Sequence, residues 1–492
     1  MRRQAVATVL LVVCLLAGCA SHPSEPPKAQ TPVRLADELA AKVTLDSMMG
    51  HLQKLQEIAD ANGGTRTDGT PGFQASVDYV VKTLQDKGFD VQTPQFERLD
   101  TLAPGKPTLT VGGRNYPVDQ ASLLLQTPVG GLTGPVIKPT KPAGCSAADY
   151  GATPPRGGIA VVDDLGCSIV EKHNAAVAKG AAALVVVSAG GRNGSPPGLF
   201  VRGYYEGLKV PVAVAGTDAG AALRRTGSPV RVVLDTRTVK TISRNILAQT
   251  KTGSAKDVVV VGAHLDSAGG PGINDDGSGV AAALATALEM GPSPDVKNAV
   301  RFAFWGAEAQ GIAGSLRYVF GLSRDELNEI ALYLNFDMLG SPNAGYFTYD
   351  GDQSGAASRD VSADEVPIGS AGVERTLAGY LNLAGKRPAD MPLVAGTDYS
   401  PFLTAGVPIG GMTSGGVQQK TNAQARLWGG KPAVPFDPNF RKPSDNLAAV
   451  NRDALAVMGA GVAFAVGTYA TSIEGVNGVP GQGQRHRAAM GP

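Results

Sequence analysis

Apolar positions recur at helical spacing early in the chain. Met49, Leu52, Leu55 and Ala59 share one face of a stretch from Leu45 to Ala61, which Gly63-Gly64 closes. A second helix starts at Thr70, a side-chain cap, with Pro71 in its first turn. Val77, Val80, Val81 and Leu84 form its apolar stripe, and Gly88 stops it. Phe89 to Phe96 reads as a strand. From about Leu102 the pattern shifts to short strands between Gly/Pro turns: 158–162, 181–187 and 210–215, with a helix from the Ser168/Glu171 capping box through Ala178. After Ser243, four short apolar runs (258–262, 300–305, 332–336 and 407–410) alternate with helical stretches. That alternation predicts an α/β fold with a mostly parallel sheet covered by helices on both faces. No internal repeat is visible.

The extreme N-terminus follows a different logic. Arg2 and Arg3 precede an apolar stretch, Ala5 to Ala17, too short to span a bilayer as a helix. Leu16-Ala17-Gly18-Cys19 resembles the bacterial lipobox, which implies cleavage before Cys19 and lipidation of its thiol. Ser21 to Pro32 then reads as an extended, Pro-rich tether. Of 4 cysteines, Cys14 lies in the signal and Cys19 takes the lipid. Cys145 and Cys167 remain, and outside the cytoplasm they are expected to form a disulfide. With 44 Lys plus Arg against 43 Asp plus Glu, the net charge of +1 gives no electrostatic footprint for nucleic acid.

Polar residues gather where the apolar runs of the second half end. His264 and Asp266 follow the first run, and Asn274-Asp275-Asp276-Gly277 opens the next helix. Glu308 follows Trp305, and Asp337 ends another run. Sites in open α/β sheets form beyond the carboxyl ends of the strands. One imidazole among several carboxylates suits zinc, and packed carboxylates need a cation or they repel and take up protons. Singly, each is as well explained as a helix cap or a core residue.

Together they resemble a family. GAHLDSAGGPGINDDGSG (262–279), FAFWGAE (302–308), LNFDMLGSPNAGYFTYD (334–350) and PFDP (435–438) are similar to the secreted two-zinc aminopeptidases. The stretch from about Pro107 to Asp235 resembles the protease-associated domain inserted in many extracellular peptidases. The resemblance implies a signal peptide over 1–18, a tether over 19–44, a peptidase domain over 45–106 and 241–474, a β-rich insert over 107–240 and a loose tail over 475–492. It implies that His264 and Asp337 hold one zinc and that Asp275 bridges two. Asp266 would orient the histidine, and Glu308 would be the general base that takes a proton from the attacking water.

The other half of the pattern departs. Ala309 stands where the family has a glutamate ligand of the second zinc, and Arg441 where it has the second histidine. Phe440 replaces an oxyanion-stabilising tyrosine, Thr397 an arginine of the substrate loop, and Asn439 and Ser444 a flanking disulfide. A guanidinium cannot bind a cation, so Arg441 is expected to occupy the second-metal position and pair with Asp275. Two readings follow. One is a lipid-anchored zinc aminopeptidase with one ion per chain and weak or altered activity on peptides. The other is a metal-free, inactive peptidase fold that binds peptides or protein partners.

Overall fold

In the computed structural model, residues 35–488 are described apart from 153–155, 190–199, 202 and 476–477. The expected signal, Cys19 and most of the tether lie outside the described residues. The larger sheet has eight strands in the order 91–92, 246–249, 298–305, 254–264, 330–336, 409–413, 347–349, 389–391. Its four central strands, Asn298–Trp305, Ser254–His264, Ile330–Phe336 and Ile409–Thr413, run parallel. Val258 to Val261 are fully or almost fully buried, as are Leu332 to Leu334, because helices cover both faces. On one face lie Leu45–Ala61, Pro71–Asp86, Ser278–Met290 and the buried C-terminal helix Arg452–Thr471.

The second sheet, also eight-stranded, belongs to the insert and mixes parallel and antiparallel pairs. Its helix Ile169–Ala178 begins at the Ser168/Glu171 capping box. Cys145 and Cys167 are bridged, with Cα atoms 5.9 Å apart. The chain enters and leaves this sheet along an antiparallel ribbon, Gln95–Ala103 with Arg237–Arg244. Arg98 anchors the ribbon by donating from Nε to Asp68 Oδ2 at 2.6 Å.

Three expectations need correction. The single strand over Phe89 to Phe96 is two, Val91–Gln92 and Gln95–Ala103, each paired with a different sheet; Pro94 between them has no N–H for a continuous ladder. The segment 35–44, expected as tether, contains the helix Leu35–Lys42, which buries Ala36 and Leu39 against the C-terminal helix. The tail is not loose up to residue 488. Arg485 donates to the carbonyls of Lys256 and Asn328, and Arg487 to those of Leu327 and Ile330.

Candidate active site

The parallel strands Ser254–His264, Asn298–Trp305 and Ile330–Phe336 end side by side, and the loops beyond them bring the expected residues together. His264 Nε2 lies 3.1 Å from Asp275 Oδ1 and 3.9 Å from Asp337 Oδ1. Its Nδ1 donates to the backbone carbonyl of Asp266 at 3.0 Å, which turns the Nε2 lone pair toward the carboxylates. A lone pair and an anionic oxygen at that separation need a positive charge between them, a proton or a metal ion. Asp337 Oδ1 is buried without a hydrogen-bond partner. The imidazole nitrogen, with Asp275 Oδ1 and the orphaned Asp337 Oδ1 both within 4 Å of it, makes a donor set that fits a zinc ion.

The electrostatics agree. Burial pushes the Asp337 carboxyl up to about 7 and Asp398 to about 8. It also raises Glu308, against the pull of His264. For His264 burial disfavours the imidazolium, but Glu308 and hydrogen bonds with Asp266 and Asp275 outweigh it and hold the ring well above its ordinary value. Without metal, Asp337 takes up a proton on folding between its unfolded value of 3.8 and about 7. Metal-free protein therefore loses stability as pH rises through that window. His264 acts in the same direction, since the stability from its raised value is lost as pH climbs through it. The melting temperature of metal-free protein is expected to be lower at pH 7.5 than at pH 5.5, with added zinc removing the difference. A metal-free protein that melts higher at pH 7.5 would contradict this.

Asp266 does more than the expected orienting of the histidine. Its carboxylate is 3.8 Å from His264 Nδ1, and it also accepts the N–H groups of Glu308 at 2.9 Å and Ala309 at 3.2 Å. The Asp266 backbone carbonyl holds the histidine ring at close range with the carboxylate beside it, and the carboxylate also fixes the turn that carries Glu308. Arg441 also reaches the cluster, its guanidinium 5.0 Å from the centre of the Phe440 ring. Its nearest carboxylate is Glu308, with Nη2 3.2 Å from Oε2, while Nε stands 3.9 Å from Asp275 Oδ2. The expected pairing with Asp275 is thus the longer of two. Thr397 precedes Asp398, which feels the charges of Glu308 and His264, and its N–H donates to Ser400 Oγ at 3.3 Å.

A model of peptidase family M28 matches residues 245–466, and a PA domain model matches residues 132–223. The probable lipoprotein aminopeptidase LpqL of Mycobacterium tuberculosis is 46% identical over 98% of this chain and 97% of its own. The chain belongs to peptidase family M28. An aminopeptidase of Pseudomonas aeruginosa, another relative, is 37% identical over 85% of this chain and 79% of its own. The aminopeptidase of Aneurinibacillus sp. strain AM-1, at 22% identity and TM-score 0.50 over 89% of this chain and 96% of that one, has a similar fold.

This M28 site also has supports that the sequence did not single out. Asp276 lies close to His264 and Asp337. Both its oxygens are taken by backbone N–H groups, those of His264 on one and Gly279 and Met338 on the other. It ties the loop to the strand ends. Asp445 accepts the N–H groups of Asn274 and Asp275. Arg66 is fully buried and donates to the carbonyls of Leu265, Pro271 and Gly272. Burial pulls it down to about 10, still cationic, with Asp266 and Asp445 pulling the other way. Arg66→Met leaves three carbonyls and a set of carboxylates uncompensated. It is expected to cost about 3–5 kcal/mol, read as a fall in the guanidinium midpoint; a loss under ~1 kcal/mol contradicts the role. No local pattern marks Arg66, because its partners lie about two hundred residues away in the chain.

Proposed function

We propose that this chain is a cell-surface zinc aminopeptidase that works with one zinc ion, held by His264, Asp275 and Asp337. The observation that carries it is the asymmetry of the cluster. Asp275 and the unpartnered Asp337 Oδ1 lie within 4 Å of His264 Nε2, while Ala309 carries no ligand group and the guanidinium of Arg441 stands 3.2 Å from Glu308 and 3.9 Å from Asp275. Three protein ligands with a fourth position open is a normal catalytic zinc set. When bound, zinc supplies Lewis acidity, polarising the scissile carbonyl and acidifying a water.

The chain's own residues do the rest. Glu308, raised by burial, is a stronger base than a free carboxylate. It takes the proton of the attacking water and returns it to the departing amine. Asp266 fixes the Glu308 turn through the two backbone N–H groups it accepts. Arg441 supplies the permanent positive charge that a second metal would bring, and it moderates the basicity of Glu308 by pairing with it. With Phe440 in place of a hydroxyl donor, no phenol stabilises the developing oxyanion. Loss of one such donor is worth ~10²–10³ in rate, so turnover is expected to be slow.

The substrate is a peptide with a free N-terminus. Aminoacyl-p-nitroanilides should be cleaved, N-acetylated ones should not, and 1,10-phenanthroline should stop the reaction until zinc is restored. Indifference to both the chelator and the blocked amine would overturn the proposal. The name of the M. tuberculosis relative and the Leu16 to Cys19 motif support an anchor on Cys19, outside the cytoplasm. Cys19→Ala is expected to shift the protein from the detergent to the aqueous phase of Triton X-114; unchanged partition contradicts the anchor.

A further inference from the structure

A second group of carboxylates lies away from the zinc ligands, where Phe347–Tyr349 and Ala389–Met391 run parallel at the sheet edge. Asp350, Glu374 and Asp390 each place an oxygen within 4.8 Å of the others. The run Asp350-Gly351-Asp352-Gln353-Ser354-Gly355 has oxygen-bearing side chains at its first, third and fifth positions and glycine at the sixth, as calcium loops begin. Backbone N–H groups hold the carboxylates: Ser354 and Gly355 donate to the two oxygens of Asp350, and Asp352 donates to Glu374 Oε2. A Cβ at Gly355 would stand 2.8 Å from Asp390 Cβ and 3.0 Å from Asp350 Oδ2, so the loop closes tightly over the group. The charges that bear on Glu374 are those of Asp352, Asp390 and Asp350, all of its own sign.

The independent sign is Thr348. It is 1% exposed and its hydroxyl has no hydrogen-bond partner, which is costly for a buried polar atom. Thr348 pairs in register with Asp390. Tyr349 packs against Tyr399 on the opposite face of the strand. Strand alternation therefore turns Thr348 and Asp350 toward the helix Ser370–Leu383, which carries Glu374. The orphaned hydroxyl thus faces the side of the sheet that carries the carboxylates, beside Asp390 in register.

We propose that Asp350, Glu374 and Asp390, with Thr348 Oγ1, form a second cation site that takes calcium. The donors are all hard oxygens with no imidazole or thiolate, which selects calcium over zinc, and their irregular placement suits calcium better than magnesium. The ion ties the 350–355 loop to the strand Ala389–Met391, whose continuation carries Asp398 beside the zinc site. An affinity near ~10⁻⁴–10⁻³ M, as in extracellular modules, would keep it loaded outside the cell.

The test uses the full-length, zinc-loaded protein in detergent. Raising CaCl₂ from zero to millimolar at constant ionic strength should raise the melting temperature by about 2–8 °C, with magnesium giving far less. Terbium should bind and luminesce by transfer from nearby tyrosines. Asp390 is exposed, so Asp390→Asn should fold, keep its zinc, and lose tenfold or more in calcium affinity. Thr348→Val should melt higher than wild type without calcium and gain less from it. No calcium-dependent rise in the wild type, or an equal rise and equal terbium signal in Asp390→Asn, overturns the proposal.

Discussion

A Glu308→Ala chain is expected to hydrolyse aminoacyl reporters about 10²–10⁴-fold more slowly than wild type while retaining its zinc. The base lies beside the metal ligands without being one of them. Its N–H is fixed by Asp266 Oδ1 at 2.9 Å and its carboxylate reaches Arg441 at 3.2 Å. Removing the carboxylate leaves His264, Asp275 and Asp337 in place, so metal content separates loss of chemistry from loss of the site. Glu308→Gln should behave alike, because it keeps the shape and removes the basicity. A variant with unchanged kcat/KM would mean that another group takes the proton.

The second large effect is a gain. Ala309→Glu with Arg441→His supplies the two ligands that the family resemblance implies for a second zinc, and the double variant is expected to bind one zinc ion more than the single ion proposed for wild type. The backbone is prepared for it: the Ala309 N–H is already held by Asp266 at 3.2 Å, and Arg441 already reaches to 3.9 Å from Asp275 Oδ2. Neither single change should suffice. Arg441→His alone supplies an imidazole without the second carboxylate, and Ala309→Glu alone adds an anion that Arg441 would pair instead of a metal. The readout is zinc per chain by elemental analysis. A double variant that still holds one ion would show that Arg441 is not the sole reason the second position is closed to metal.

The parallel sheet was legible because its strands, Val258 to Val261 and Leu332 to Leu334 among them, are buried on both faces and so read as unbroken apolar runs. His264, Glu308 and Asp337 were legible because each sits a residue or a few beyond such a run, where an α/β sheet places its chemistry, and Asp275 because it opens the helix that follows the first run. Pro94 marks the break between the strands Val91–Gln92 and Gln95–Ala103, a signal that lies in the sequence itself. The helix Leu35–Lys42 was hidden by its position next to a Pro-rich tether. Arg66, Asp445 and Arg487 were not legible at all, since each serves backbone groups far away in the chain and leaves no periodic trace. The partner choice of Arg441 was half legible. Its charge excluded metal binding, but only the fold shows Glu308 lying nearer than Asp275, because the Asp266 carboxylate positions the Glu308 turn.

The most direct measurement is the zinc content of the full-length protein after saturation with excess zinc and removal of the loosely bound ion. One zinc per chain, lost in His264→Ala and kept in Glu308→Ala, is the predicted result. Two ions, or none at all, would contradict the single-zinc site.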